Sequence, residues 1–415
     1  MQRVATDAVV VGGGAIGVAC AHYLAEDGLR VTLVERGKVS HGCSFANAGL
    51  IVPGHSQALA GPGVMAEGLR HLMRRDGPFA IRPRPDPALA RWLLAFRRAC
   101  DPERSSRATR ILTELSTVSL ALFDDLVRRG EADFGFRAGP LINAYTAEGW
   151  AFRADAFGDL LAELGSRSSV MDSDEVHELE PALSPRVRGA LVIQDQASGD
   201  CYAFVRSLAA GLAARGATTL VDTSVERVLV RGGRAAGVAT GDGEELEADL
   251  VVLAAGAWTP RLTRPLGLRL PIEPATGYSW TMPTWPDAPR TPVIFDDDHV
   301  VVLPLEDRVR FAGTLELAGF RDRPDPARLE AVVRTGREGL REAPADGQAW
   351  FGFRPLMPDD LPAIGWAPGL EGVLVATGHG TLGFTQSPVT GKLIAELVAG
   401  RPTSVPVQPF RPDRF

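Results

Sequence analysis

Residues 12–17 read Gly-Gly-Gly-Ala-Ile-Gly, and this stretch decides the fold because it has the spacing G-x-G-x-x-G. It follows a valine-rich run at 7–11, which is typical of a buried parallel strand, and it opens a predicted helix at 15–27. A second strand is predicted at 30–35, ending in Glu35. In such a β-α-β unit the glycines allow a tight turn and close approach of a pyrophosphate, while the acidic residue binds ribose hydroxyls. The pattern predicts a dinucleotide site and leaves both FAD and NAD open.

Composition limits the class of protein. The chain has 415 residues, a formal net charge of −7 and 45% hydrophobic residues. Its length suits two interleaved lobes, and its acidic balance argues against a nucleic-acid surface. Because the cysteines form no CxxC pair and the histidines form no HxxxH pattern, we predict no disulfide framework and no metal site. No apolar leader or bilayer-spanning stretch is evident, so the predicted location is the cytoplasm, with a peripheral contact on the cytoplasmic membrane face left open.

Hydrophobic periodicity predicts further elements along the chain. Further helices are predicted at 64–75, 87–100, 107–129, 151–164, 202–215, 326–342 and 381–398. Further strands are predicted at 139–145, in a meander at 218–221, 225–231, 235–240 and 244–248, and then at 250–254, in a block at 276–314 and at 373–376. The α/β signal lies at both ends and near residue 250. We therefore predict an α/β fold with a Rossmann-type nucleotide-binding domain assembled from separated segments and a second, strand-rich lobe.

Three later segments favour a flavin as the bound dinucleotide. Residues 44–49 read Ser-Phe-Ala-Asn-Ala-Gly, residues 253–258 read Leu-Ala-Ala-Gly-Ala-Trp, and residues 378–383 read Gly-His-Gly-Thr-Leu-Gly. Small side chains at such positions let the backbone approach a flat ring, and a helix N-terminus after the last segment would stabilise negative charge on it. Each segment also fits a simpler interpretation: a surface turn, a bent core strand or a helix cap.

The chain resembles the D-amino acid dehydrogenase group of the glycine/D-amino acid oxidase superfamily. The resemblance covers nearly the whole chain and rests on the amino-terminal stretch together with SFANAGLIVPGH, GYSWTMP, FGFRPLMPDDLPAIG and GHGTLGFTQSPVTGKLIAELVAG. The sequence departs from the group in FTQSPVTG and in His-Gly-Cys at 41–43, which puts the substrate preference in question. D-Proline or hydroxy-D-proline is therefore kept as a substrate beside linear D-amino acids.

The resemblance implies a fold, a cofactor and a reaction. It implies non-covalent FAD, a D-amino acid oxidase-like flavin domain at 1–80, 150–265 and 345–415, and an antiparallel-sheet substrate domain at 81–149 and 266–344. The implied reaction is hydride transfer from a D-amino acid to flavin N5. It gives an imino acid or 2-oxo acid, and the electrons pass to a quinone or another respiratory carrier. These carriers and the amino acid are the predicted partners.

Arg354, Tyr278, His379 and His55 are the candidate residues for the chemistry. Arg354 offers a planar charged fork that suits an α-carboxylate, and the matching arginine of the group pairs with it. Tyr278 is predicted to close over the substrate, His379 to lie beside the flavin, and His55 to contact the substrate. The alternatives are an ion-paired arginine, a half-buried strand tyrosine and ordinary loop histidines. The predicted cofactor-binding residues are Gly12, Gly14, Ala15, Ile16, Gly17, Glu35, Arg36, Ser44, Ala46, Asn47, Ala48, Gly49, Leu50, Val225, Ala255, Gly256, Trp258, Gly352, Arg354, Gly378, Gly380, Thr381, Leu382 and Gly383.

Three other functions remain open from the sequence. The first is an oxygen-using oxidase of glycine, sarcosine or a D-amino acid, which the same residues would serve. The second is a flavin subunit of a larger electron-transfer complex. The third is an NAD-dependent dehydrogenase, which the glycine-rich turn alone also allows.

Overall fold

A computed structural model of the protein describes residues 7–64 and 77–415. Of the predicted helix at 64–75, residue 64 alone lies within these ranges, and the rest lies outside the described residues. The described α-helices are α1 (Ala15–Glu26), α2 (Pro87–Ala99), α3 (Pro102–Arg128), α4 (Trp150–Glu163), α5 (Ser173–Leu179), α6 (Cys201–Leu212), α7 (Thr259–Thr263), α8 (Pro326–Gly339) and α9 (Ser387–Val398). The described strands are β1 (Ala8–Val11), β2 (Val31–Val34), β3 (Leu50–Ile51), β4 (Phe79–Ile81), β5 (Arg137–Tyr145), β6 (Ser168–Asp172), β7 (Gly189–Ser198), β8 (Thr218–Leu220), β9 (Val225–Arg231), β10 (Arg234–Thr240), β11 (Glu245–Leu246), β12 (Leu250–Leu253), β13 (Glu273–Pro283), β14 (Val293–Phe295), β15 (Val300–Pro304), β16 (Arg308–Leu317), β17 (Gln348–Leu356), β18 (Ala363–Trp366) and β19 (Val373–Thr377).

One sheet has six strands in the order β18-β19-β12-β1-β2-β8. Its strands run parallel except for the antiparallel pair β18·β19. Every residue of β1, β2 and β12 is buried, which explains their continuous runs of valine and leucine. Because strands from both ends and the middle of the chain meet here, the predicted α/β fold with a nucleotide-binding domain built from separated segments is confirmed.

Helix α1 lies against this sheet and against α9. Ten of its twelve residues are buried, and most of them are small. A Cβ added at Gly391 in α9 would lie 2.5 Å from the backbone of Ala19 in α1, so glycine permits the two helices to cross at close range. The crossing holds the carboxy-terminal helix over the amino-terminal β-α-β unit.

The second large sheet follows the path β17-β13-β16-β15-β14-β5-β7-β3, with β4 paired to β16 and β6 paired to β7. Its pairs are antiparallel apart from β14·β5 and β16·β4. Helix α8 packs on one face, where Gly336 lies against Phe311 and Gly339 against Phe295. The predicted second lobe with an antiparallel sheet is therefore confirmed, although β3, β4, β6, β7, α5 and β17 were not among the predicted elements.

Two predicted boundaries need correction. Strand β8 does not join the predicted meander, because Thr218 pairs in parallel with Thr32 of β2; the three-stranded sheet contains only β9, β10 and β11. Helix α9 begins at Ser387 and not at residue 381. Pro388 lies in the first turn of α9, where its missing amide hydrogen needs no partner; in a helix that began at 381 it would be interior and would break the hydrogen-bond pattern.

The predicted division into domains stays a prediction. Strands β7 and β17 belong to the second large sheet, although the division assigns 150–265 and 345–415 to the flavin domain. In the described ranges, no helix combines the length and apolar character needed to cross a bilayer.

Candidate active site

A cavity of about 330 Å³ opens where the parallel strands β1, β2, β12 and β19 end. The carboxyl edge of an open α/β sheet is where such folds bind their ligands. Sixteen of the predicted cofactor residues lie on its wall: Gly12, Gly14, Ala15, Ile16, Glu35, Arg36, Ser44, Asn47, Val225, Ala255, Gly256, Trp258, Arg354, Gly380, Thr381 and Gly383. The structure therefore brings residues from both ends and the middle of the chain into one site.

The three glycines of the turn after β1 have different surroundings. A Cβ at Gly12, whose φ is +113°, would lie 2.5 Å from the carbonyl oxygen of Ala254, and a Cβ at Gly17 would lie 1.8 Å from that of Gly12. Both glycines are therefore required by packing of the protein itself. A Cβ at Gly14 would meet only the Ser44 hydroxyl oxygen, at 3.4 Å. Gly14 thus leaves the cavity wall bare at the N-terminus of α1, which is where a pyrophosphate binds in this kind of unit.

Glu35 is held at the end of β2 by backbone groups. One carboxylate oxygen accepts a hydrogen bond from the Gly13 amide at 2.7 Å, and the other accepts from the Gly37 amide at 3.0 Å. The carboxylate is thereby fixed on the cavity wall, in the position from which such an acid accepts ribose hydroxyls. Nearby, the Arg36 guanidinium lies 3.8 Å from the ring centre of Trp258, which closes this end of the cavity with a cation–π contact.

Arg354, on β17, supplies a cation from the second lobe. Its Nη1 donates a hydrogen bond to the carbonyl oxygen of Thr314 at 2.6 Å. Within residues 7–64 and 77–415 the guanidinium forms no ion pair with a carboxylate; the ionisable group beside it is the Cys43 thiol. Burial lowers the pKa of Arg354, but a guanidinium stays protonated at any physiological pH. The cavity wall therefore carries a positive charge that pairs with no carboxylate in the described part of the chain.

His379, which follows β19, is a neutral residue on the same wall. Its Nε2 lies 2.9 Å from the Thr390 hydroxyl, and that hydroxyl donates to the carbonyl oxygen of Gln386 at 2.8 Å. Since the hydroxyl proton is used, Nε2 carries the imidazole proton and donates, which leaves Nδ1 as an acceptor. Nδ1 is buried and has no partner among the described residues. Burial lowers the pKa of His379 to about 3.

Tyr278 and His55, both predicted to bind substrate, lie away from the cavity wall. The Tyr278 hydroxyl donates to a carboxylate oxygen of Glu316 at 2.5 Å and is buried in the second lobe. Strand β13 pairs with β17 without a register shift, and Arg354 lies opposite Ala275, so the alternation of side chains along β13 places Tyr278 on the face opposite Arg354. His55 ends a short 3-10 helix and its ring packs edge-on against Phe157, with ring centres 5.5 Å apart. Neither placement supports the predicted substrate contact.

Eight of the predicted cofactor residues do not lie on the cavity wall. Gly49, for example, has a backbone role instead: its carbonyl oxygen accepts a hydrogen bond from the Gly199 amide, and its φ of +61° turns the chain into β3. The other predicted cofactor residues that do not line the cavity are Gly17, Ala46, Ala48, Leu50, Gly352, Gly378 and Leu382.

Other wall residues were missed by the sequence analysis. The main ones are Gly42, Cys43, Thr223, Ser224, Glu226, Arg261, Leu262, Phe353, Pro355, Thr377 and Phe384. The group at 223–226 could have been found, because it follows β8, which is another parallel strand that ends at the same edge. Phe353 could not have been found in this way, because its place on the cavity wall depends on how the second lobe packs against the first.

The site fits a flavin dinucleotide in three respects. The bare wall at Gly14, at the start of α1, suits a pyrophosphate, the fixed Glu35 carboxylate suits a ribose, and the His379 acceptor, unpartnered among the described residues, suits a polar ring or substrate group. Fold and site together define the dinucleotide-binding class of protein, and the cation of Arg354 lies on the wall of the same cavity.

Comparison with known proteins agrees with this class. The chain belongs to the DAO family, described as FAD dependent oxidoreductases, which it matches over residues 7–397. The prediction of FAD, and the resemblance on which it rested, are therefore confirmed, and the NAD-dependent alternative is set aside.

Individual relatives and solved structures extend the comparison. The chain is 36% identical to a D-amino acid dehydrogenase of Paramagnetospirillum magneticum over 416 residues, which cover 98% of each chain. It is 36% identical to one of Cereibacter sphaeroides, covering 95% of this chain and 92% of the relative. Its structure is similar to glycine oxidase from Geobacillus kaustophilus, with a TM-score of 0.76, 26% identity and 99% of each chain covered. It shares its fold with L-proline dehydrogenase from P. horikoshii, with a TM-score of 0.74, 21% identity and 99% and 97% coverage.

Proposed function

We propose that the protein is a D-amino acid dehydrogenase that oxidises the Cα–N bond of its substrate and passes the electrons to a quinone or another carrier. The observation that carries the proposal is the Arg354 guanidinium, which faces the dinucleotide cavity without a carboxylate partner among the described residues. An α-carboxylate is the ligand that such a fork binds best. Relatives at 36% identity over nearly the whole chain bear the name of this activity.

Four residues of the cavity wall have defined parts in binding the cofactor and the substrate. Gly14 and the start of α1 hold the pyrophosphate of FAD, and Glu35 holds a ribose. Arg354 binds the substrate carboxylate and so fixes the orientation of the α-carbon. His379, neutral because of its burial, accepts a hydrogen bond through Nδ1 and does not act as a proton acceptor at neutral pH.

The chemistry itself comes from the cofactor. FAD, when bound, supplies the acceptor for the hydride of the substrate α-carbon. The protein supplies binding and orientation, and the neutral substrate amine assists with its lone pair, so a strong side-chain base is not required. A linear imino acid then hydrolyses to a 2-oxo acid and ammonia, whereas a cyclic one from D-proline or hydroxy-D-proline persists.

An oxygen-using oxidase is the second candidate. It is favoured by the structural similarity to glycine oxidase at 26% identity. Peroxide formation, measured against dye and quinone reduction with the same substrate, distinguishes the two. A membrane quinone as acceptor also requires a peripheral membrane contact, which vesicle flotation of the FAD-loaded protein would test.

The decisive experiment is anaerobic bleaching of the flavin by a panel of D- and L-amino acids that includes both prolines. We expect bleaching by D-amino acids only. The variant Arg354→Met should raise KM by roughly 10- to 100-fold, because a charge-assisted hydrogen-bonded pair contributes about 1.5–3 kcal/mol. The KM of Arg354→Lys should lie between those of the native protein and Arg354→Met, since lysine keeps the charge and lacks the planar fork.

Arg167→Met serves as the matched control. Arg167 is exposed and pairs with Asp195 on the surface of the second lobe, so its loss should leave KM unchanged. An Arg354→Met variant with the KM of the native protein would remove Arg354 from the substrate site.

A further inference from the structure

The Arg354 guanidinium lies flat on a glycine. In the pairing of β13 with β17, Arg354 is opposite Ala275 and Gly277 is opposite Gly352. A Cβ added at Gly277 would lie 2.5 Å from the guanidinium carbon of Arg354, 2.5 Å from Nη2 and 2.7 Å from Nη1. These distances are far below van der Waals contact. Any residue other than glycine at 277 would therefore push the guanidinium off the sheet.

A β-bulge on the other neighbouring strand supplies the acceptor that holds this group. The register between β13 and β16 shifts between Thr276 and Tyr278, so that two residues of β16 oppose the single Gly277. Thr314, one of these two, has a φ of +58°, a left-handed angle that is an outlier for a β-branched residue. Bulges next to active sites commonly redirect a group toward the site, and here the Thr314 carbonyl accepts from Arg354 Nη1 at 2.6 Å.

We propose that Gly277 and Thr314 are positioning residues that aim the Arg354 fork at the substrate carboxylate. Gly277 provides the space and Thr314 fixes one nitrogen, so Nε and Nη2 are left for the ligand. Neither residue lies on the cavity wall. The inference rests on the proposed function of Arg354 and adds how the protein sets its direction.

The test is a double-mutant cycle on the FAD-loaded protein, with Gly277→Ala, Arg354→Met and the combination. Two quantities are measured: KM and kcat for the best D-amino acid of the panel, and the dissociation constant of propionate from its perturbation of the flavin absorption. Propionate keeps the carboxylate and lacks the oxidisable amine. Gly139→Ala is the control, because Gly139 lies in the same sheet with a non-positive φ and no atom within 4 Å of an added Cβ.

Gly277→Ala should raise KM and the propionate dissociation constant by roughly 10- to 100-fold, because a displacement near 1 Å is enough to lose a directed contact. The value of kcat should fall by no more than it does in Arg354→Met, because a displaced fork loses at most the orientation of the α-carbon that Arg354 provides. In the Arg354→Met background the alanine should add no further loss, since no guanidinium remains to be displaced. Gly139→Ala should match the native protein in both quantities.

The outcomes separate this inference from the proposed function. If Arg354→Met leaves both constants unchanged, the proposed role of Arg354 fails. If Arg354→Met weakens binding and Gly277→Ala does not, or if their effects multiply in the double variant, the positioning role fails alone. If Gly277→Ala does not retain FAD, adding Arg354→Met should restore the FAD content and the Tm; failure to restore them overturns the inference.

Discussion

The glycines of the turn after β1 allow packing and cofactor binding to be tested separately. Gly17→Ala places a methyl group 1.8 Å from the carbonyl oxygen of Gly12, inside the β-α-β unit. Gly14→Ala places it against the Ser44 hydroxyl at 3.4 Å, on the wall of the cavity. The first change conflicts with the protein backbone, and the second conflicts only with a bound ligand.

The magnitudes follow from these distances. The Gly17 conflict cannot be relieved by a side-chain rotation, so the apoprotein should lose about 3 kcal/mol or more of its free energy of unfolding. Gly14 has a φ of −82°, which alanine adopts without strain, so Gly14→Ala should change that free energy by less than about 1 kcal/mol. The same methyl group should weaken FAD binding by about 1–3 kcal/mol, which corresponds to roughly 5- to 150-fold in the dissociation constant.

The assay uses protein from which FAD has been removed. Urea unfolding of the apoprotein gives the free energy of unfolding, and calorimetric titration with FAD gives the dissociation constant. We expect Gly14→Ala to unfold like the native apoprotein and to bind FAD weakly. The reasoning is refuted if Gly14→Ala binds FAD with native affinity, or if its apoprotein is as unstable as that of Gly17→Ala.

Two further predictions concern the residues that the structure reinterprets. Burial lowers the pKa of His379 from 6.5 to about 3, so the unfolded chain binds a proton that the folded protein does not. The difference in unfolding free energy between the native protein and His379→Gln should therefore shrink as the pH falls below 6.5, by up to about 1.4 kcal/mol per pH unit. Urea unfolding of both proteins at pH 7 and pH 5 measures this difference. A difference that stays constant between the two pH values would contradict the prediction. Tyr278→Phe removes the donor to Glu316 and should cost about 1–3 kcal/mol of unfolding free energy while KM stays within about twofold; a large rise in KM would return Tyr278 to the substrate site.

The local features of the site could be predicted from the sequence because they depend on neighbours in the chain. The glycine turn, the acid at Glu35 and the small residues after β12 each follow directly from a strand with a recognisable apolar run. The family resemblance then supplied Arg354, which no local pattern identifies.

The remaining features depend on contacts between distant strands. Tyr278 was assigned to the substrate because its strand was predicted without its pairing to β17; Arg354 lies opposite Ala275, so side-chain alternation puts Tyr278 on the other face. The register between two strands decides which side chains share a face, and the residues of one strand alone do not show it. The late start of α9 has a local cause, since Pro388 is tolerated in the first turn of a helix but not in its interior.

The environment of Arg354 is itself an argument for its function. Two other arginines with buried side chains lie near acidic groups: Arg310 is within electrostatic reach of Asp200, and Arg328 is 3.8 Å from a carboxylate oxygen of Glu316. Arg354 has only a carbonyl and a thiol nearby among the described residues. Removing a cation from water without a counter-charge is unfavourable, and two unusual backbone features, a glycine and a left-handed threonine, keep this one in place. Such a destabilising arrangement is explained if an anionic ligand binds to Arg354 from the dinucleotide cavity, because the ligand then supplies the negative charge that pairs with the guanidinium.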